Sequence, residues 1–210
     1  MQTETNRPQT PQQAWEALNR GNQRFITGQP AHPRQDIDRR EALSEQQRPF
    51  ATLFGCADSR LSAEIIFDVG LGDLFVVRNA GQVIAETILG SLEYSVEVLG
   101  VSLILVLAHD ECGAVRATID DTKGQMKAEG KFIHELVAKI KPTVLAANRK
   151  GLYDIDDITV MHVEDTIHEM VSRSRVISDA IKAGKLAVVG ANYKLLEGEI
   201  HTIVAHGNVE

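Results

Sequence analysis

Four apolar runs punctuate the chain: "FATLFG" (50–55), "DLFVVR" (73–78), "VSLILVLA" (101–108) and "KLAVVGANY" (185–193). Each is short, rich in β-branched residues and nearly without polar interruption, the pattern of strands covered on both faces. Between them, apolar residues recur at helical spacing over 85–99 and 131–140, and along a stretch from about Ile155 to Ala183 that Gly184 closes. Strand alternating with helix predicts an α/β fold, a mostly parallel central sheet with flanking helices and right-handed crossovers. "EIHTIVAH" (199–206) alternates polar and apolar positions and reads as an antiparallel edge strand.

Ahead of the first strand, Thr10 and Pro11 offer an N-cap and a first-turn proline to a helix over 11–28. Trp15, Leu18 and Phe25 share one stripe of it, and an amphipathic helix in this place is expected to pack on a neighbouring subunit. Residues 10–49 are read as an N-terminal helical arm, and the polar residues 1–9 as mobile. Neither a repeat nor a linker divides the chain, so 1–210 is read as one domain.

Composition narrows the class. With 210 residues, 43% hydrophobic and 24% charged, the chain can bury a substantial core. Its formal charge of −7 offers no basic face to a phosphate backbone, which argues against nucleic acid. "MQTETNRPQT" lacks a basic start followed by an apolar run, and no segment approaches the roughly 20 apolar residues of a membrane span. A cytoplasmic protein without a membrane partner is expected. In that reducing compartment the two cysteines stay free for metal binding or catalysis.

Those cysteines fall in telling places. Cys56, in "FGCADSR", ends the first predicted strand, and His109 and Cys112, in "LAHDECGA", end the third. Open α/β sheets bind ligands at that edge. His-x-x-Cys at a strand-to-helix turn can aim two side chains at one point, and Cys112 at a helix N-terminus sits where the dipole favours thiolate. Two thiolates and one imidazole make a recognised zinc set whose fourth tetrahedral position stays open, as catalytic zinc requires. Asp58 and Arg60, two apart beyond the strand, can pair so that the arginine orients the carboxylate, which can ligate the metal or accept a proton.

These residues resemble the β-class carbonic anhydrases, whose motifs are C-x-D-x-R and, some fifty residues on, H-x-x-C. The similarity runs from about Thr10 to His206 through "AEIIFDVGLGDLFVVRNAG", "LGSLEYSVEVLGV" and "VVGANYKLLEG". The resemblance implies reversible hydration of CO2 to bicarbonate and a proton by a zinc-bound hydroxide, with Zn2+ as cofactor. It makes Cys56, His109 and Cys112 the zinc ligands. Asp58 and Arg60 become the catalytic pair, the aspartate either paired to the arginine or filling the fourth zinc position. By the same resemblance Gln47 reaches the substrate across a dimer interface, Phe75, Ala80 and Tyr94 surround the CO2 pocket, and the Gly113 N–H donates to bound substrate. A homodimer or homotetramer is implied. One subclass also carries Arg78 and Tyr193 as an inhibitory bicarbonate site, but with tryptophan where this chain has Leu53, so that regulation is not expected. Glu111, between the ligands, either raises the pKa of bound water or faces solvent.

Other candidates have blander readings. "GLGDLF" (70–75) lacks the third glycine of a dinucleotide loop and leads into a strand, so it reads as a turn. His162 and His168, six apart on a predicted helix, are assigned to its solvated face. His201 and His206, an odd number apart on a predicted strand, are placed on opposite faces. Met161 and Met170 read as core filling. Three rival functions remain: hydrolysis of CS2 or COS on the same scaffold, a structural zinc site with Asp58 as fourth ligand, and a thiol redox sensor.

Overall fold

The computed structural model describes residues 7–209. Five strands, β1 (Ala51–Cys56), β2 (Leu74–Asn79), β3 (Leu103–His109), β4 (Ala187–Tyr193) and β5 (Ile200–His206), form one sheet in the order β2-β1-β3-β4-β5. The first four are parallel and β5 is antiparallel to β4, as the patterns predict. β1, β3 and β4 are buried along their whole length, which is why their sequences run apolar without alternation.

Eight helices, α1 (Pro11–Ile26), α2 (Ile37–Ala42), α3 (Ala63–Ile66), α4 (Glu86–Glu97), α5 (Gly113–Thr122), α6 (Lys131–Arg149), α7 (Ile155–Arg173) and α8 (Arg175–Lys182), complete the described residues. On one face of the sheet Leu103, Leu105 and Leu107 pack with Val115 and Ile119 of α5 and Ile140 and Val144 of α6. The alternate residues Ile104, Val106 and Ala108 join Leu92 of α4, Ile167 and Met170 of α7 and Ile177 of α8. The period-2 alternation of β3 therefore feeds two separate apolar layers.

The first helix starts as expected, with the Thr10 side chain accepting from the Gln13 N–H. Its packing differs from expectation. Ala14, Trp15 and Leu18 are buried in the chain's own core, so this stripe packs within one chain. Of residues 1–9, expected to be mobile, 1–6 lie outside the described residues. Arg7 donates to the Pro49 carbonyl.

Two helix boundaries also moved. α6 continues past 140 through Pro142, because Thr143, Val144 and Ala147 bury themselves and outweigh the lost backbone bond. The long 155–183 stretch is two helices, broken at Ser174, whose hydroxyl accepts from the Ile177 N–H and donates to Glu93 Oε1 at 2.6 Å. A serine able to cap a new helix competes with continuation of the old one.

The strand order reverses between β1 and β3, since the chain leaves β1 for β2 on one side and returns to β3 on the other. That switch point lies at the carboxyl ends of β1 and β3, the place where open α/β sheets carry their ligand sites.

Candidate metal centre

Cys56 closes β1 and His109 closes β3, so two neighbouring strands each bring one candidate donor to the same sheet edge. Three residues on, Cys112 is the N-cap of α5. The donor atoms of Cys56, His109 and Cys112 lie within 4.8 Å of one another, and all three residues are buried. The two sulfurs are 3.9 Å apart and the cysteines are free. A disulfide needs about 2.05 Å, whereas two sulfurs each about 2.3 Å from a tetrahedral zinc stand about 3.8 Å apart.

Each donor is prepared chemically. His109 Nδ1 lies 2.8 Å from the Asp110 carbonyl, which can only accept, so Nδ1 carries the proton and Nε2 keeps its lone pair. Nε2 is buried without a hydrogen-bond partner. Such a lone pair in the interior is costly unless a cation receives it.

The thiols form a coupled pair. A hydrogen bond from Cys112 holds Cys56 down to about 4 against the burial that opposes it, and the Gly81 and Asp58 N–H groups also favour its thiolate. The same pairing and burial push Cys112 up, although the Ala114 and Val115 N–H groups at the α5 N-terminus favour its anion. One proton is thus shared where a divalent cation would hold both sulfurs.

Beside this group, Arg60 grips Asp58 with Nε to Oδ1 at 2.8 Å and Nη2 to Oδ2 at 2.7 Å, and its backbone N–H adds a bond of 2.9 Å. Hydrogen bonding to Arg60 holds the Asp58 carboxyl well below the usual range. The carboxylate stays with its arginine, Oδ2 lying 3.8 Å from His109 Nε2. Arg78, from β2, donates to the carbonyls of Cys56 at 2.7 Å and Asp58 at 2.6 Å, so its guanidinium fastens the loop carrying both. Glu111, at a φ of +52°, is exposed and pairs with Arg116 at 2.7 Å, so it faces solvent.

The remaining candidates divide into two places. Ala80, in a 3-10 turn (Ala80–Gln82) after β2, and Gly113, first residue of α5, flank the three donors. Phe75 pairs in register with Thr52, four rungs from the Cys56–Asn79 row, about 13 Å along the strand. Its ring centroid is 6.1 Å from that of Tyr94, and Tyr94 lines a surface cavity together with Gln47. Within one chain, then, Gln47, Phe75 and Tyr94 form a second cluster apart from the donors.

Two histidine assignments are corrected. His162 is 4% exposed and its Nε2 lies 2.7 Å from the Gly81 carbonyl. The signal was present: Ile155, Ile158, Thr159, His162, Val163, Thr166, Ile167 and Met170 make one buried helical stripe. His168 is exposed as expected. On β5, a bulge facing Gly190 and Ala191 sets His206 opposite Val188 and His201 opposite Asn192. Those partners are an even number apart, so both histidines take one face. Gly81 and Asn79, which build the turn over Cys56, were not singled out by the sequence.

The profile of the carbonic anhydrase family matches residues 51–200. Carbonic anhydrase 2 of Mycobacterium tuberculosis is 48% identical over 188 residues, 90% of this chain and 90% of that protein. The carbonic anhydrase of Mycolicibacterium smegmatis is 46% identical over 190 residues, 90% and 92% of the two chains. Among solved structures, the β-carbonic anhydrase CcaA superposes with a TM-score of 0.71 at 25% identity, covering 90% of this chain and 94% of its own. A tetrameric β-carbonic anhydrase of Sordaria macrospora, at 22% identity over 80% and 87% of the chains, shares the fold with a TM-score of 0.71. By family match, by relatives and by fold, the chain belongs to the β-carbonic anhydrases, a family of lyases.

Proposed function

We propose that the chain hydrates CO2 reversibly to bicarbonate and a proton, with Zn2+ held by Cys56, His109 and Cys112. One observation carries this reading. Asp58 is taken up by the two-point grip of Arg60, so three donors converge and a fourth tetrahedral position is left for water. Zinc in such a site lowers the pKa of a water to about 7, which supplies hydroxide at neutral pH.

The chain's own residues do the rest. Asp58, kept ionised and oriented by Arg60, accepts a hydrogen bond at Oδ2 from the reacting water and so directs its lone pair away from the carboxylate. Arg78 fixes the loop that aims the carboxylate. The Gly113 N–H, at the free end of α5, donates to a bicarbonate oxygen and favours the developing negative charge. Ala80 contributes to the apolar wall around CO2.

Gln47, Phe75 and Tyr94 lie too far along the sheet to serve the donors of their own chain, and a second copy brings them to the site. At least a homodimer follows, and the tetrameric relative from Sordaria macrospora supports a larger assembly. No helix among the described residues is long and apolar enough to cross a membrane. Two cysteines that remain thiols suit a reducing compartment, and we place the enzyme in the cytoplasm.

Metal analysis of the purified protein, with stopped-flow CO2 hydration from about pH 6 to 9, tests the proposal. One zinc per chain and turnover rising with pH are expected. Zinc without turnover would turn the site structural, and turnover of CS2 or COS in place of CO2 would change the substrate.

A further inference from the structure

His162 lies on α7, 53 residues from His109 in sequence, yet it touches the turn that covers Cys56. The turn is unusual. Gly81 has a φ of +71° and Gln82 a φ of +41°, and Gln82 is fully buried. Two left-handed residues in succession do not persist unless the surroundings hold them. Asn79 ties the ends together, its side chain donating to the Val83 carbonyl at 2.8 Å and accepting from the Val83 N–H at 2.9 Å. The middle is held differently. His162 Nε2 meets the Gly81 carbonyl at 2.7 Å, and the Gly81 N–H points at Cys56 Sγ at 3.4 Å.

A peptide carbonyl only accepts, so Nε2 of His162 carries a proton and donates. Gly81 is thereby fixed on both sides: its carbonyl by His162, and its amide by the sulfur. A side chain cannot replace this clamp at residue 81 itself, because a Cβ there would meet Ala114 Cβ at 2.8 Å and Ile140 Cδ1 at 2.9 Å.

We propose that His162 is a positioning residue for the metal centre: by holding the Gly81 carbonyl it fixes the Gly81 N–H on Cys56 Sγ and so sets how strongly that sulfur donates to the metal. The inference rests on Cys56 serving as a metal-binding thiolate. An N–H donor withdraws charge from a thiolate ligand, and groups that orient ligands in this way change metal affinity 10- to 100-fold when removed. Losing the donor leaves a sulfur that is more basic, more easily protonated in competition with metal, and easier to ionise optically.

The test compares wild type, His162→Leu, which fills a similar volume without a donor, and His162→Gln, whose amide N–H can reach the same carbonyl. Each is loaded with Co2+ to read the sulfur-to-cobalt charge-transfer band, and its Zn2+ affinity is measured by competition with a chelator. His162→Leu is expected to move the band to longer wavelength and weaken Zn2+ binding about 10-fold or more, with His162→Gln near wild type. If His162→Leu gives no soluble protein, His162→Asn, one carbon too short, carries the same comparison. A donor-less variant with wild-type band and affinity overturns the proposal, even if its melting temperature falls. A wild-type protein that binds neither metal overturns it together with the reading it rests on. Wild type that binds zinc but leaves CO2 untouched removes only the proposed activity, and the band and affinity comparison still decides the role of His162.

Discussion

Asp58 Oδ2 stands 3.8 Å from His109 Nε2 and 2.7 Å from Arg60 Nη2, so the carboxylate sits beside the buried donors while paired to its arginine. Ser59 alone separates the two charged residues, and Arg60 is mostly exposed, so the orientation comes from geometry: two side-chain bonds and one backbone bond to a single carboxylate.

Removing that fork separates binding from chemistry. Arg60→Ala is expected to keep zinc at wild-type stoichiometry while kcat/KM for CO2 falls about 100-fold, the cost of a reacting group misplaced by an ångström. Unchanged turnover in stopped flow would show that Asp58 needs no partner to do its work.

The same pair links stability to pH. Asp58 has a folded pKa below its unfolded value, so its pairing stabilises the native state fully above the unfolded pKa of about 3.9. That contribution is lost as pH falls through the folded pKa. Urea midpoints of metal-free wild type and Arg60→Ala are therefore expected to differ by a constant amount from neutral pH down to about 4, and to converge below it.

Cys56 and Cys112 are chemically unequal without metal. The hydrogen bond from Cys112 holds Cys56 down and favours its thiolate, while the same pairing and burial push Cys112 up. Alkylation of metal-free protein, read by peptide mass spectrometry, is expected to modify Cys56 before Cys112. Zinc is expected to protect both.

Gly81→Ala places a methyl against Ala114 and Ile140 at a φ that L-residues rarely adopt. A loss of about 1–3 kcal/mol in urea unfolding of the metal-free protein is expected from strain and overpacking together. Wild-type stability would mean that the turn has a second comfortable conformation.

If each site draws Gln47 from a second copy, two damaged chains can repair one another. Cys56→Ser chains lack a ligand and Gln47→Ala chains lack the donated side chain, yet a hybrid dimer contains one intact site. Mixing the two after mild dissociation is expected to give more CO2 hydration than the sum of the separate preparations. Strict additivity would place the whole site within one chain.

Much of the frame was legible because it depends on local pattern. The five strands follow from unbroken apolar runs and one segment of mixed polar and apolar positions, and β5 emerges antiparallel at the edge, where its His201, Thr202 and His206 are exposed while Ile200, Ile203 and Val204 are partly buried. Other features were hidden by competing forces. Pro142 looks like a stop, and only the burial of Val144 and Ala147 carries α6 past it. Ser174 looks like one more helical residue until Glu93 and the Ile177 N–H claim its hydroxyl. One bulged residue on β5 reverses the parity that counting from His201 to His206 assumes.

By itself the sequence determined the candidate donors Cys56, His109 and Cys112, because cysteine and histidine at the ends of two buried strands come together wherever those strands are neighbours in one sheet. It determined the Asp58–Arg60 pair too, since with Ser59 alone between them each lies within the other's side-chain reach. The tertiary structure decided what surrounds the sulfurs: Arg78 on the loop, Gly81 above Cys56, and His162 behind Gly81. Contacts between residues 22 to 81 positions apart carry no periodic trace in the chain, because they arise from which faces the crossovers press together.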